Sequence, residues 1–245
     1  MEAAIIVVFI LFPLLISMYH QLKLEKDILI SSARAFVQLS LLGFILTFVF
    51  SLENWVSIFG YILFMMIIAA VTARKRGKQI PYAFGISFVS VFFSWTITVP
   101  LWILFHIIEF ETPYVLAVSG MVIGNAMTAS GQTFHLLQRE FDQTKDLIET
   151  KLALGFTMYQ ASQEWIQQTV KTVLIPNIDT LKTVGLVQMP GMMTGMILAG
   201  TSPYQAVKFQ IVIMFSITAV AVLSVLMISL LSYPFYFDKK IRLKR

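Results

Sequence analysis

Charge divides this chain of 245 residues into uncharged runs long enough to cross a bilayer. A hydrocarbon core about 30 Å thick needs about 20 mostly apolar residues in a helix rising about 1.5 Å per residue. Residues Ala3–Leu22, Ala35–Leu52, Asn54–Ala73, Gln79–Ile108 and Thr112–Gln138 carry no charge, and neither do Thr183–Val207 and Phe209–Phe237. Pro100 predicts a kink in the fourth run. In the sixth, Gly200-Thr201-Ser202-Pro203 reads as a turn, so that crossing is short. The expectation is an all-α polytopic membrane protein of about seven transmembrane helices, forming one transmembrane domain over residues 1–245. Composition agrees: 58% of residues are hydrophobic, 13% are charged and the mean hydropathy is +0.80. Soluble domains average roughly 45–50% and about 25%. With 21 Phe and no Cys, a disordered chain, a disulfide-stapled domain and a thiolate metal site are excluded. The first run lacks a basic leader and a small-x-small cleavage site before Lys23, and is read as a retained helix.

The basic residues orient these spans. Short loops rich in Lys and Arg stay cytoplasmic. Lys23, Lys26 and Arg34 follow the first span, and Arg74, Lys75, Arg76 and Lys78 follow the third. Arg139, Lys145, Lys151, Lys171 and Lys182 lie in the 135–182 segment, and Lys239, Lys240, Arg242, Lys244 and Arg245 form the tail. The alternate loops carry Glu53, then Glu109 and Glu111, then no charge. An N-terminus outside and a C-terminus in the cytoplasm put 17 of 18 basic residues inside, with Lys208 the exception. Nine acidic residues share that side, giving +8 inside against −3 outside, which sums to the net +5. The positive balance therefore reports orientation and contact with anionic lipid, not nucleic acid.

Only 135–182 is long and polar enough to project into the cytoplasm, and it is expected as a helical hairpin. Phe141, Ile148 and Leu152 recur at helical spacing among charges. A second amphipathic piece starts at the N-cap Thr157, continues through Ala161, Trp165 and Val170, and ends at Leu174-Ile175-Pro176. Such a hairpin lacks a core of its own. It serves either as an interfacial cover on the membrane domain or as a docking element for a partner.

Catalytic motifs are missing. H-E-x-x-H and G-x-S-x-G do not occur, and Gly77-Lys78 is followed by Gln79, with Thr72 where a P-loop needs its first glycine. Three dispersed His residues show no metal spacing, so energy from ATP has to come from another polypeptide. Ionisable groups inside spans are the default functional candidates, and here they are nearly absent. Arg34 sits at a span end, where it either snorkels or pairs with Glu25 or Asp27. The remaining candidates for a transport path are neutral: Gln38 and Asn125, an amide inside a span being either an interhelical hydrogen-bonder or a substrate contact. Met189, Met192, Met193 and Met196 fall on one helical face, as adaptable packing or as a soft lining for a metal or apolar substrate. Gly120 and Gly124, and Gly191 and Gly195, form small-residue stripes suited to close helix packing, with Pro190-Gly191 a candidate hinge.

Lys182-Thr183-Val184-Gly185-Leu186-Val187-Gln188-Met189-Pro190-Gly191-Met192-Met193-Thr194-Gly195 resembles a family signature. So do Ala33-Arg34-Ala35-Phe36-Val37-Gln38-Leu39, Gly124-Asn125-Ala126-Met127-Thr128-Ala129 and Ala206-Val207-Lys208-Phe209-Gln210-Ile211-Val212. Together they resemble the FetB family of ABC transporter permeases, associated with iron export and similar to plant membrane proteins of aluminium tolerance. The resemblance implies a multi-pass inner- or plasma-membrane permease subunit, itself not an enzyme and without a bound cofactor. Two copies would join two copies of a FetA-like ABC ATPase that holds ATP and Mg. It also makes Gly155–Trp165 the expected coupling element, with Thr157 at its start. Glu149 and Gly155 echo the E-A-A-x-x-x-G docking loop of ABC importers, although Thr150 and Lys151 replace its alanines. Iron sits awkwardly with these spans, because it favours carboxylate, imidazole or thiolate ligands and Met is a poor substitute for hard Fe³⁺, while Glu109 and Glu111 at the outer mouth are a solvated loop or a cation-accepting pair. The rival readings are a secondary transporter or channel, which usually carries intramembrane charge, and a non-transporting membrane scaffold.

Overall fold

The computed structural model describes residues 2–51, 54–108 and 110–238. Glu53, Glu109 and the basic tail from Lys239 to Arg245, all used to orient the chain from sequence, lie outside the described residues. Nine α-helices are described: α1 (Glu2–Tyr19), α2 (Glu25–Ser51), α3 (Trp55–Arg74), α4 (Ala83–Leu104), α5 (Thr112–Gln143), α6 (Lys145–Ala153), α7 (Met158–Thr183), α8 (Gly191–Leu198) and α9 (Pro203–Ser232), with a 3-10 turn at Tyr233–Tyr236. Among the described residues there is no β-strand, only an isolated bridge between Val184 and Gln188. The protein is all-α, as its uncharged apolar runs predict. Stretches within α2, α3, α4 and α5, and the run Pro203–Tyr236, are long and apolar enough to cross a membrane; Val8–Tyr19 is apolar but shorter.

The chain divides into two compact units, Met1–Ser57 and Ile58–Arg245. In the first, α1 and α2 pack as a pair. Their connection is fastened by Ser17, whose hydroxyl donates to Glu25 Oε1 at 2.7 Å and accepts the Leu24 N–H at 3.2 Å. Glu25 and Asp27 occupy the first turn of α2, where negative charge suits the exposed amides of a helix start.

The second unit is built around α5. At about 1.5 Å per residue its 32 residues span roughly 48 Å, well beyond a hydrocarbon core of about 30 Å. It packs on α4, α7 and α9, and α4 also packs on α9. Hydroxyls join these apolar surfaces. Ser94 and Ser224 share a hydrogen bond at 3.0 Å, Trp102 Nε1 donates to Ser216 at 2.7 Å, and Trp95 Nε1 donates to Ser119 at 2.8 Å. At the far end of α5 the core turns aromatic: Phe134, Leu137, Phe141, Ile148 and Trp165 cluster with Tyr236 and Phe237. The Phe141 ring lies 4.7 Å from that of Tyr236.

Two elements differ from the sequence expectation. First, Pro176 does not end its helix, because α7 continues to Thr183 and carries Pro176 inside it. Nor does α7 stand apart in a free hairpin. It lies along α5 and α9, burying Ala161, Trp165, Ile166, Thr169 and Val173, a stripe at helical spacing that its Gln-rich opposite face obscures. Secondly, within the run Thr183–Val207 the only helix between the end of α7 and the start of α9 is the eight-residue α8, about 12 Å long at about 1.5 Å per residue. That is too short to cross a bilayer. Residues 184–190 are a non-helical turn in which Thr183 O accepts the N–H groups of Leu186 and Val187, and Gly185 takes φ +82. The turn at Gly200–Ser202 forms where the sequence places it, with Gly200 at φ +96 and Ser202 accepting the Gln205 N–H at 3.4 Å to cap α9.

Candidate functional site

Three features gather the candidate residues of the second unit. The first is a polar cleft between α5 and α7. Asn125, Thr128 and Gln132 recur along one side of α5 and face Pro176, Asn177 and Thr180 of α7 across a space of about 200 Å³. Asn125 Nδ2 donates to the Met121 carbonyl of its own helix at 2.8 Å, so this bond closes within the helix rather than between helices. Thr128 and Thr180 likewise donate to carbonyls four residues back, at 3.0 Å and 2.8 Å. Such local bonds leave the threonine lone pairs facing outward. At the end of α7, the exposed Lys182 pairs with Asp179 at 3.0 Å. Asn177 and Thr180 escaped notice in the sequence because they follow Pro176, which reads as a helix stop.

The second feature is the broken segment α7–turn–α8 against α9, which borders an open pocket of about 520 Å³. Met189 and Met193 line it, joined by Met214, Phe215 and Gln210 of α9. Met192 and Met196 do not belong to the lining. The four methionines do not share one helical face, because Pro190 is the N-cap of α8 and leaves Met189 in the turn before it. The helix break expected at Pro190-Gly191 is therefore wider, spanning 184–190. Of the stripe glycines, only Gly120 borders another helix closely, its hypothetical Cβ lying 3.4 Å from Met65 Cε. A Cβ on Gly124, Gly191 or Gly195 would meet nothing within 4 Å, so within this chain those glycines are not close-packing positions.

The third feature is the elbow between α6 and α7. Thr157 caps α7 in a reciprocal box, its hydroxyl accepting Gln160 N–H at 3.3 Å while Gln160 Oε1 accepts Thr157 N–H at 3.0 Å. Gly155 adopts φ +92, the left-handed conformation that ends α6 without a Cβ penalty. Around it the apolar side chains of Leu154 (73% exposed) and Phe156 (48% exposed) stand free of the core. Trp165 does the reverse: it is 7% exposed, with Lys151 Nζ 4.4 Å above its ring, and Lys151 also pairs with Glu164 at 3.1 Å. Glu149 pairs with Lys145 at 3.8 Å on α6. Of the expected coupling residues, Gly155 and Thr157 shape the elbow, Trp165 anchors it, and the exposed apolar tips are Leu154 and Phe156. The signal for those tips was the apolar–Gly–apolar triplet.

Gln38 lies in the first unit, exposed on α2. Among the described residues no three His, Cys, Asp or Glu side chains come together as metal ligands. Glu111 is exposed at the N-cap of α5 and makes no side-chain cap.

Residues 1–237 match the family described as Uncharacterised protein family (UPF0014). The chain is 38% identical over 237 residues to the probable iron export permease protein FetB of Escherichia coli, covering 97% of this chain and 92% of that protein. It is 37% identical over 244 residues to the protein ALUMINUM SENSITIVE 3 of Arabidopsis thaliana, covering 99% and 88%. To the UPF0014 membrane protein YjkA of Bacillus subtilis it is 36% identical over 245 residues, covering 100% and 98%. No solved structure matches it. An all-α chain with several membrane-length apolar helices, matched along nearly its whole length by these membrane proteins, is a multi-pass membrane protein and belongs to the UPF0014 family.

Proposed function

We propose that this chain is the permease subunit of an ATP-driven exporter, working as two copies with two separate ABC ATPase subunits and moving iron or another metal species out of the cytoplasm. The observation that carries this reading is the continuity of α7. One helix of 26 residues, roughly 39 Å long at about 1.5 Å per residue, joins the exposed apolar elbow at Leu154–Phe156 to the polar cleft and the broken segment. A partner that seizes the elbow therefore moves the cleft wall directly. Metal export comes from the similarity to the protein named as a probable iron export permease. The ATPase partner is supported by the FetB-like sequence blocks and by the missing P-loop.

In this reading the sixth crossing is shared. The C-terminal part of α7 enters from the cytoplasmic side, residues 184–190 unwind within the bilayer, and α8 completes the passage to the outer turn at Gly200–Ser202. Irregular backbone at membrane depth is tolerated only where protein or a water-filled cavity covers it. Discontinuous helices of this kind line substrate sites in other transporters. The Asp179–Lys182 pair and the cleft amides then face the second copy, where charge escapes lipid.

The test separates docking from folding. Leu154→Ser with Phe156→Ser alters two exposed side chains, whereas deleting Gly155–Trp165 would also remove the buried Trp165. Co-expression with a P-loop ATPase from the same genome should give a stable complex with the parent chain. The double variant should insert normally and lose most of that ATPase. Undiminished co-purification would remove the elbow from the proposed coupling site.

A further inference from the structure

We infer that the open pocket at the link between α3 and α4 is a binding site for an anionic phospholipid, its phosphate held by Arg74 and Lys78 and an acyl chain lying along Phe84, Phe88 and Phe92 of α4. The pocket measures about 500 Å³ and is lined by both cations, by Gln79 and Tyr82, and by Phe84. No acidic residue lines it, and the sequence holds no Asp or Glu between Asn54 and Ile108. Arg74, Lys75, Arg76 and Lys78 therefore set four cations in five residues with no compensating charge nearby along the chain. Lys145, Lys151 and Lys182 each have a carboxylate partner, whereas among the described residues Arg74 and Lys78 have none. An unpaired guanidinium and an unpaired ammonium in one pocket favour an anion, and the oxygens of a phosphate can accept from both. The link that carries them is fixed: Ile80 is buried in the aromatic cluster, and Gly77 leaves no room for a Cβ beside the Phe134 ring.

Position and shape select a lipid over a free phosphate. α3 has 20 residues, about 30 Å at about 1.5 Å per residue, which matches a hydrocarbon core of about 30 Å. Arg74, its last residue, therefore lies at headgroup level, where anionic lipid attracts basic side chains. About 500 Å³ lies within the range of roughly 300–1,000 Å³ typical of small-molecule pockets, room for a phosphate together with its glycerol. Phe84 leads out of the pocket. Its ring stacks on that of Phe88, and the Phe88 ring on that of Phe92, with centroids 6.2 Å apart in each pair. The three rings form one row along α4, about 12 Å long at about 1.5 Å per residue, that runs from the pocket into the span. Phe84 and Phe88 are half-buried and Phe92 is exposed, so the row is open to an acyl chain. A soluble phosphate uses the cations alone, whereas a phospholipid uses the cations and the row.

The test is native mass spectrometry of the purified full-length chain in detergent, titrated with dioleoyl phosphatidylglycerol or with dioleoyl phosphatidylcholine, which has the same chains and phosphate but no net charge. The parent chain should prefer phosphatidylglycerol. Arg74→Gln with Lys78→Gln should weaken phosphatidylglycerol binding by about tenfold or more, the size expected for losing charge-assisted hydrogen bonds to a phosphate. Lys75→Gln with Arg76→Gln removes the same charge outside the pocket lining and should weaken it far less. All four side chains are exposed, so both variants should keep the parent's melting temperature without lipid. Phe92→Ala should weaken dioleoyl phosphatidylglycerol and spare the dihexanoyl form, whose chains are too short for the whole row. Excess inorganic phosphate should displace little of the lipid. Equal losses in the two charge variants would overturn the inference, as would a parent chain that binds both lipids alike. Displacement by phosphate as complete as that by competing phosphatidylglycerol would overturn the lipid occupant and leave a free-phosphate site. Neither ATPase nor transport enters the readout, so this outcome is independent of the test of the permease reading.

Discussion

Gly77→Ala should destabilise the second unit. Gly77 sits in the link between α3 and α4, where its N–H donates to the Arg74 carbonyl at 2.9 Å and its carbonyl accepts the Ile80 N–H at 3.0 Å. A Cβ there would lie 2.9 Å from Phe134 Cγ and 3.1 Å from both Cδ atoms, well inside van der Waals contact. Phe134 has no room to retreat, being fully buried in the cluster with Leu137, Phe141 and Trp165. Either the ring or the link backbone has to shift, and overpacking of this kind costs about 1–3 kcal/mol. For a chain of this size roughly 2–4 °C of melting temperature corresponds to each kcal/mol, so a fall of roughly 2–12 °C is expected. The assay is thermal unfolding of the detergent-purified protein, followed by tryptophan fluorescence. Phe134→Leu relieves the contact at the expense of packing volume, so Gly77→Ala should cost less in that background. An unchanged melting temperature in the single variant, or strict additivity in the double, would refute the steric reasoning.

Ser94→Ala or Ser224→Ala alone should cost about 1–3 kcal/mol by leaving a buried hydroxyl unpaired, whereas the double Ala variant should recover much of that loss; denaturant unfolding of all three checks it. Thr157→Ala should remove the capping box and cost about 1 kcal/mol, seen as faster hydrogen exchange confined to the first turns of α7. Asn177→Ala with Thr180→Ala, at half-buried positions lining the cleft, should lower vesicle transport severalfold while leaving ATPase co-purification intact; unaltered transport would take the cleft out of the path. Changing Met189, Met192, Met193 and Met196 together to Leu should leave transport rate and cargo preference nearly unchanged if the methionines act as packing, and transport of a metal salt in vesicles decides between packing and ligation.

The broken segment illustrates how local signals divide from global ones. Gly200-Thr201-Ser202-Pro203 forms its turn as read, because Ser202 and Pro203 act through bonds to their near neighbours. Thr157 caps its helix for the same reason. Pro176 misleads because a proline's effect on a helix depends on what holds the helix around it. Here Thr169 and Val173 are buried before it, Thr180 O accepts the Val184 N–H beyond it, and the contacts with α5 and α9 carry α7 through. The four methionines fit one helical face only for a continuous helix, and the helix starts after Met189. Gln210 looked ordinary in its apolar run, since only its surroundings reveal that no donor reaches its Oε1.

By itself the sequence determined the all-α membrane class, the caps and turns, and the family resemblance. Each depends on the free energy of moving single residues between water and hydrocarbon, or on bonds within a few residues. The tertiary structure alone decided that α7 lies along α5 and α9, that Trp165 is buried in the aromatic cluster, and that Leu154 and Phe156 stand exposed. It also decided that Asn177 and Thr180 share a cleft with Asn125, and that Gln210 borders one open pocket with Met189, Met193 and Met214. Those assignments depend on which helix faces meet, and a helix whose polar and apolar faces are both well populated specifies its partners only through the shape and hydrogen bonding of its neighbours.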